Sequence, residues 1–194
     1  LGIAAQKQLM ALFFAMCISI LLGMGMPTTA AYAVAAAVVA PGLIQLGIPV
    51  LVAHFFVFYY AVMSAITPPV ALAAYAGAGL AGSDPMKTSV EAFKLGLAAF
   101  IVPFMFFYSH ALLMQGEWHE ILRVFVTALI GIFLLSSGVQ GYFFGRLHNV
   151  LRIVLLGAAL AMIQGGWISD IIGLGAGLAV FAYQKRFVSA RGAD

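Results

Sequence analysis

The side chains best placed for chemistry are three threonines beside two interruptions in apolar segments. Thr28 and Thr29 follow Gly23-Met24-Gly25-Met26-Pro27, and Thr67 stands directly before Pro68-Pro69. Threonine hydroxyls, and the backbone carbonyls that a broken helix releases, are oxygen ligands of the kind that hard cations such as sodium prefer. Because neither interruption contains a carboxylate, hydroxyls and carbonyls must supply the ligands. We therefore predict a site for a hard cation such as sodium, formed by the hydroxyls of Thr28, Thr29 and Thr67 and by freed backbone carbonyls.

Other patterns with chemical potential have structural explanations. A threonine can donate its hydroxyl to a carbonyl of its own helix, which is the alternative for each threonine above. We expect His54 and His110, both in apolar segments, to be interfacial or hydrogen-bonded structural residues, although buried ionisable groups in membranes can be functional. Segment 77–82 matches the dinucleotide pattern GxGxxG without the strand that this pattern requires. We expect close helix packing there and at 141–145 and 173–177, and we predict no catalytic residue.

The composition indicates a membrane protein. Of the 194 residues, 64% are hydrophobic and only 8% are charged, and the mean hydropathy is +1.12. Soluble domains usually carry about 25% charged residues, so we predict an all-α polytopic membrane protein. The net charge of +3 includes a basic C-terminal cluster that orients the chain in a bilayer and does not indicate nucleic-acid binding. The chain begins at Leu1 without an initiator methionine, and we expect it to be part of a longer protein.

The first threonine pair lies in an apolar stretch, residues 9–40, that is interrupted at its middle. Each arm, 9–22 and 28–40, has about 14 residues and reaches about 20 Å, which is short of the roughly 30 Å hydrocarbon core. Two short arms joined by a Gly/Pro/Thr tip predict a re-entrant helical hairpin. A single kinked spanning helix is the alternative.

Further along the chain, the pattern predicts one broken helix and several spanning helices. Residues 50–81 form an apolar run that Pro68 and Pro69 must open, because neither proline has an N–H. A polar loop, Gly82-Ser83-Asp84-Pro85, and a Lys- and Glu-bearing stretch to Lys94 are expected outside the hydrocarbon, and they precede a predicted helix at 95–114. Residues 115–194 are predicted to form a C-terminal helical extension of unassigned role, with helical runs at 121–144, 150–163 and 171–183. The last two runs, separated by a turn at Gln164-Gly165-Gly166-Trp167, form either a second hairpin or a thin pair of helices.

Charge asymmetry gives a predicted orientation. With the C-terminal cluster Lys185, Arg186 and Arg191 in the cytoplasm, the loop at 146–152 lies inside and the loops at 115–120 and around Gly165 lie outside. The hairpin then enters from the outer face.

The two interruptions also carry a family resemblance. Gly23-Met24-Gly25-Met26-Pro27-Thr28-Thr29-Ala30 and Ala65-Ile66-Thr67-Pro68-Pro69-Val70-Ala71-Leu72 together resemble the large, DctM-like permease subunit of tripartite ATP-independent periplasmic (TRAP) transporters. The resemblance covers about residues 1–114 and is most similar to fused permeases that work with TAXI-type binding proteins. It implies that 1–114 is the second inverted repeat of an elevator-type transporter, with the first repeat and a fused small-subunit region outside this chain.

The resemblance implies a function as well as a fold. It implies a multi-pass protein of the bacterial inner membrane that imports a small organic anion, of the carboxylate or dicarboxylate class, together with sodium. A periplasmic binding protein would deliver the anion. The resemblance also implies that the tip and the broken helix contribute the sodium ligands, which by position are Gly25, Thr28, Thr29, Thr67 and Pro68. A non-transporting membrane assembly or anchoring subunit and a polytopic membrane enzyme are the alternatives.

Overall fold

A computed structural model describes residues 2–163 and 166–191, with side chains over 7–163 and 166–186. The described residues form helices joined by turns, without a strand, and this confirms the predicted all-α membrane fold. Leu1, residues 192–194 and Gln164-Gly165 lie outside the described residues, so the predicted outer location of Gly165 stays a prediction. Trp167, the last residue of the predicted turn, instead begins a helix.

Four helical stretches are long and apolar enough to cross a membrane, namely Thr28–Gln45, Pro85–Tyr108, Trp118–Gln140 and Trp167–Arg186. The chain divides into two compact units, Leu1–Gly96 and Leu97–Asp194. The predicted division after residue 114 rests on the extent of the family resemblance and stays a prediction.

The first unit contains six helices within the described residues. They are α1 (Gly2–Gly23), α2 (Thr28–Val38), α3 (Ala40–Gln45), α4 (Val50–Met63), α5 (Leu72–Ala81) and α6 (Pro85–Gly96). α1, α2 and α4 pack on one another, and their small and aromatic side chains form the core.

The predicted hairpin is present, with longer arms than expected. The Gln8 side-chain amide near the start of α1 donates to the Leu46 carbonyl 2.9 Å away, just after α3, so the two arms run antiparallel. The alternative of a single kinked helix is therefore wrong. α1 has 22 residues and spans about 33 Å, and the second arm continues through Pro41 to Gln45, for 18 residues. Pro41 permits this because it lies in the first turn of α3, where a missing N–H costs nothing.

The broken helix has the predicted bounds. α4 ends at Met63, a 3₁₀ turn covers Ser64–Ile66, and the chain is extended at Thr67 before α5 begins at Leu72. Pro69 has no N–H to donate to the Ala65 carbonyl, so the α-helix cannot continue through this point. The Pro68–Pro69 peptide bond is cis.

The helix predicted at 95–114 is wrong in its bounds. Helical structure begins ten residues earlier with α6, at Pro85, and continues as a 3₁₀ turn, Leu97–Ile101. Asp84 explains the early start, because its Oδ1 accepts the Lys87 N–H at 2.7 Å and a proline follows it at the first helical position. The run ends with α7 (Val102–Tyr108) and a 3₁₀ turn, His110–Leu113.

The second unit continues with α8 (Trp118–Gln140), α9 (Asn149–Ile163) and α10 (Trp167–Arg191). α8 ends before the predicted Phe144, because Gly141 adopts φ +71° and stops the helix. α10 is longer than the predicted run, with 25 residues.

Glycines permit close packing in this unit, though not at every predicted place. A Cβ on Gly173 would overlap the Met162 side chain, and one on Gly177 would lie 3.0 Å from the Leu134 Cδ1. These contacts confirm the packing prediction at 173–177. Segment 141–145 instead forms a turn, so the packing prediction there is wrong. No described residue lies within 4 Å of a Cβ added to Gly77 or Gly79, so the packing prediction for 77–82 stays a prediction.

Candidate functional site

The hairpin tip contacts the broken helix. A Cβ added to Gly23 would lie 2.5 Å from the Ser64 Oγ, 2.9 Å from its Cβ and 3.0 Å from the Ala61 carbonyl oxygen. Such separations are shorter than real Cβ contacts, so only glycine permits this approach. The end of α1 is therefore pressed against the 3₁₀ turn that follows α4.

Gly25 makes the second contact between the two interruptions. It adopts φ +79°, a conformation that glycine tolerates and other residues rarely adopt. A Cβ at this position would lie 3.6 Å from the Val70 Cγ1. Ser64 and Val70 bracket Thr67-Pro68-Pro69, so the tip faces the break as the sequence predicts.

Four helix ends consequently meet at one place, which we call the junction (residues 23–28 and 64–72). α1 and α4 end there, and α2 and α5 begin there. The ends of α1 and α4 present carbonyl groups with partial negative charge, whereas the first turns of α2 and α5 present N–H groups with partial positive charge. No side chain caps α2 or α5. The junction therefore offers carbonyl oxygens to a cation and amide groups to an anion.

Thr67 is the predicted ligand that lies inside the junction. Its side chain is buried, its hydroxyl donates to the Met63 carbonyl at 2.8 Å, and its N–H donates to the Ser64 carbonyl at 3.2 Å. The hydroxyl thus bonds back to its own helix, as the structural alternative supposed. This bond uses the hydroxyl hydrogen, so the oxygen lone pairs remain able to accept a cation.

The other predicted ligands differ in how they relate to the break. Gly25 contacts the far side of the break, and Pro68, which is partly buried, belongs to the break itself. Thr28 and Thr29 occupy the first turn of α2 with exposed side chains.

Three polar residues of this region were not predicted. The Ser64 hydroxyl is buried and donates to the Ala61 carbonyl at 2.6 Å, and the Tyr75 hydroxyl donates to the Pro69 carbonyl. Ser19, one turn before Gly23, is fully buried, and its hydroxyl has no partner among the described residues. Ser64 could have been predicted, because it lies three residues before Thr67 in an otherwise apolar run.

The two histidines singled out in the sequence lie in different units. The His54 Nδ1 is 3.0 Å from the Tyr32 hydroxyl, beside a groove of about 320 Å³ that Leu51, Phe55 and Phe58 also line. His110 lies in a short 3₁₀ turn of the second unit. Within the described residues, no group of three or more His, Cys, Asp or Glu side chains is arranged to hold a metal ion.

Comparison with known families identifies the part of the chain that carries the junction. The family model described as "Tripartite ATP-independent periplasmic transporter, DctM component" matches residues 1–121, which include both the tip and the break. The chain belongs to the DctM family. This DctM chain is therefore a component of a TRAP transporter permease in the membrane and not an enzyme, and the family implies a periplasmic binding protein as partner.

The C-terminal part of this DctM chain matches a different family. A model described as a domain of unknown function, DUF3394, matches residues 121–173, which cover most of α8, all of α9 and the start of α10. No curated protein and no solved structure matches the chain.

Proposed function

We propose that the junction is this chain's share of the transport site of a sodium-coupled TRAP permease. The permease imports a small organic anion, of the carboxylate or dicarboxylate class, that a TAXI-type periplasmic binding protein delivers. The observation that carries the proposal is the approach of Gly23 to Ser64, because it brings two carbonyl-bearing and two amide-bearing helix ends together. Such discontinuous helices are the usual construction of ion and substrate sites in secondary transporters.

Sodium is the coupling ion in this proposal, and it binds to oxygens at the carbonyl-bearing ends. The Thr67 hydroxyl and the carbonyls of Gly25 and Pro68 are the inner ligands. Thr28 and Thr29, whose side chains are exposed in the first turn of α2, add hydroxyls once the complementary repeat covers them. The substrate carboxylate binds to the uncapped first turns of α2 and α5, where backbone N–H groups attract an anion.

The hairpin is re-entrant in this proposal, and it enters from the outer face of the bacterial inner membrane. Its arms are long enough to cross, so the argument rests on the tip and not on arm length. Irregular backbone, such as that at 24–27, is stable at membrane depth only where protein or a watery cavity covers it. The broken helix covers one side of the tip, and the first repeat, together with a fused small-subunit region, completes the site. The C-terminus is cytoplasmic.

Substitution of Thr67 tests the sodium assignment. Thr67→Val removes the hydroxyl and keeps the volume, so we expect the half-saturating sodium concentration for uptake to rise about tenfold, which corresponds to a loss of about 1.4 kcal/mol. Thr67→Ser retains the oxygen and is the matched control, with a change of less than about twofold. Uptake by proteoliposomes that contain the intact transporter and its binding protein provides the measurement. If Thr67→Val lowers protein abundance but leaves the sodium curve unchanged, the hydroxyl only stabilises the helix and the assignment is wrong.

A further inference from the structure

The helices of the second unit have two ends of opposite charge. At one end, the Gln184 side chain of α10 joins the turn after α8, because its Oε1 accepts the Phe144 N–H and its Nε2 donates to the Gly145 carbonyl, each at 3.2 Å. This tie brings the end of α10 beside the start of α9. We call this the basic end, and it consists of Arg146, His148, Arg152, Lys185 and Arg186.

The opposite end carries the carboxylates. Arg123 on α8 donates to the Asp170 Oδ2 on α10 at 2.8 Å, so the N-terminal ends of α8 and α10 lie together. Glu117 and Glu120 lie beside them at the start of α8. All acidic residues in the described part of the second unit are therefore at this end, and the basic end has none.

Three cations of the basic end are available to a ligand. Arg152 is already used, because its guanidinium donates to the Gly138 and Val139 carbonyls at the end of α8, each at 3.0 Å. Arg146, Lys185 and Arg186 are exposed, and within the described residues no carboxylate pairs with them.

The separation of the two ends matches a lipid bilayer. From Glu120 to Gln140, α8 rises about 30 Å, which is the thickness of the hydrocarbon core. Trp118 and Trp167 are exposed at the acidic end, and Tyr142 and Phe144 are exposed at the basic end, as expected for the two aromatic belts at membrane interfaces. The cations of the basic end consequently lie at the level of lipid headgroups.

We propose that the basic end binds the phosphate headgroup of an anionic phospholipid. Arginine and lysine donors match phosphate oxygens, and among the described side chains no carboxylate competes for them. A lipid fits better than a soluble phosphate, because exposed apolar side chains continue from the basic end toward the acidic end and supply a path for acyl chains. These side chains are Phe133, Val150, Ile153 and Leu178, which are between 54% and 70% exposed. The choice of the cytoplasmic leaflet follows the orientation proposed above, but binding itself does not depend on it.

Lipid retention by the intact transporter tests this proposal. The protein is reconstituted with equal amounts of phosphatidylglycerol and phosphatidylcholine, extracted in detergent, and examined by native mass spectrometry for the ratio of bound lipids. We expect phosphatidylglycerol to be enriched on the unmodified protein. Arg146→Gln and Lys185→Gln each lower the enrichment about fivefold, and the triple variant with Arg186→Gln lowers it about a hundredfold.

The matched control removes two exposed cations elsewhere. Lys87→Gln with Lys94→Gln takes the same kind of charge from α6, where Lys94 pairs with Glu91 at 2.7 Å, and we expect unchanged enrichment. Equal retention by the triple variant, or an equal loss in the control, would overturn the proposal. Displacement of the lipid by millimolar inorganic phosphate would also overturn it, since the ligand would then be soluble phosphate. The melting temperature of each variant in detergent verifies that the protein is folded.

Discussion

Replacing Gly23 by alanine tests whether the contact between tip and break shapes the sodium site. The added Cβ would lie 2.5 Å from the Ser64 Oγ, which can rotate away, but also 2.9 Å from the Ser64 Cβ. Ordinary contacts begin at 3.4 Å, so the tip or the 3₁₀ turn must move by about 0.5 Å. Hard-cation ligands lie at roughly 2.3 to 2.6 Å by analogy with calcium sites. A displacement of that size removes a ligand from coordination. Overpacking of this kind costs about 1–3 kcal/mol.

The expected result is a weaker response to sodium. Because the Ser64 carbonyl accepts the Thr67 N–H, movement of Ser64 displaces Thr67 too, and we expect the half-saturating sodium concentration for uptake to rise at least about tenfold. Gly77→Ala is the control, since a Cβ there meets no neighbour within 4 Å. Ser64→Gly removes the two nearest atoms, so Gly23→Ala combined with Ser64→Gly should recover part of the affinity.

Two results would refute this reasoning. If Gly23→Ala and Gly77→Ala give the same sodium curve and the same thermal stability, the tip does not press on the break. If Gly23→Ala only lowers the melting temperature and the sodium curve is unchanged, the contact supports folding and the junction is not the sodium site.

Three further predictions concern other parts of the chain. Asp170→Asn leaves Arg123 without its carboxylate, and losing one partner of a buried ion pair costs about 3–5 kcal/mol. The melting temperature in detergent should therefore fall by about 6 °C or more, and replacing both residues by leucine should recover most of the loss. An unchanged melting temperature in Asp170→Asn would show that the pair is not stabilising. Deleting residues 120–194 from the intact permease should leave partial sodium-coupled uptake, because both interruptions precede that segment. The 194-residue chain alone should insert in membranes without transporting. Uptake by this chain alone would contradict the need for the first repeat. In a Cys17→Ala background, cysteine at Gln45 or Glu117 should react with an impermeant thiol reagent added outside, and cysteine at Lys87 or His148 should not; the opposite labelling would invert the proposed orientation.

Local chemistry explains why the two interruptions could be predicted from the sequence. Pro68 and Pro69 remove two N–H groups whatever surrounds them, so the break follows from the residues themselves. The tip at 24–27 is equally local, because Gly25 permits a positive φ and Pro27 precedes the start of α2. The start of α6 could also have been predicted, because Asp84-Pro85 is a common pair at helix starts. We interpreted it as part of a loop.

Contacts between distant residues could not be predicted. The closeness of Gly23 to Ser64 depends on how α1 and α4 pack, and many glycines with the same local pattern, such as Gly77, face open space. The pairing of Arg123 with Asp170 joins residues 47 positions apart. The junction was therefore predictable as two interruptions, and its assembly required the structure.

The opposite charges at the two ends of α8 and α10 have a mechanical consequence. A shift of these helices by one turn, about 5.4 Å along the membrane normal, would draw either the basic end or the Glu117 and Glu120 end into hydrocarbon. Moving charged side chains from the interface into hydrocarbon is unfavourable, and several charges would move together. In the proposed orientation, the charges at both ends therefore oppose displacement of α8 and α10 in either direction along the membrane normal.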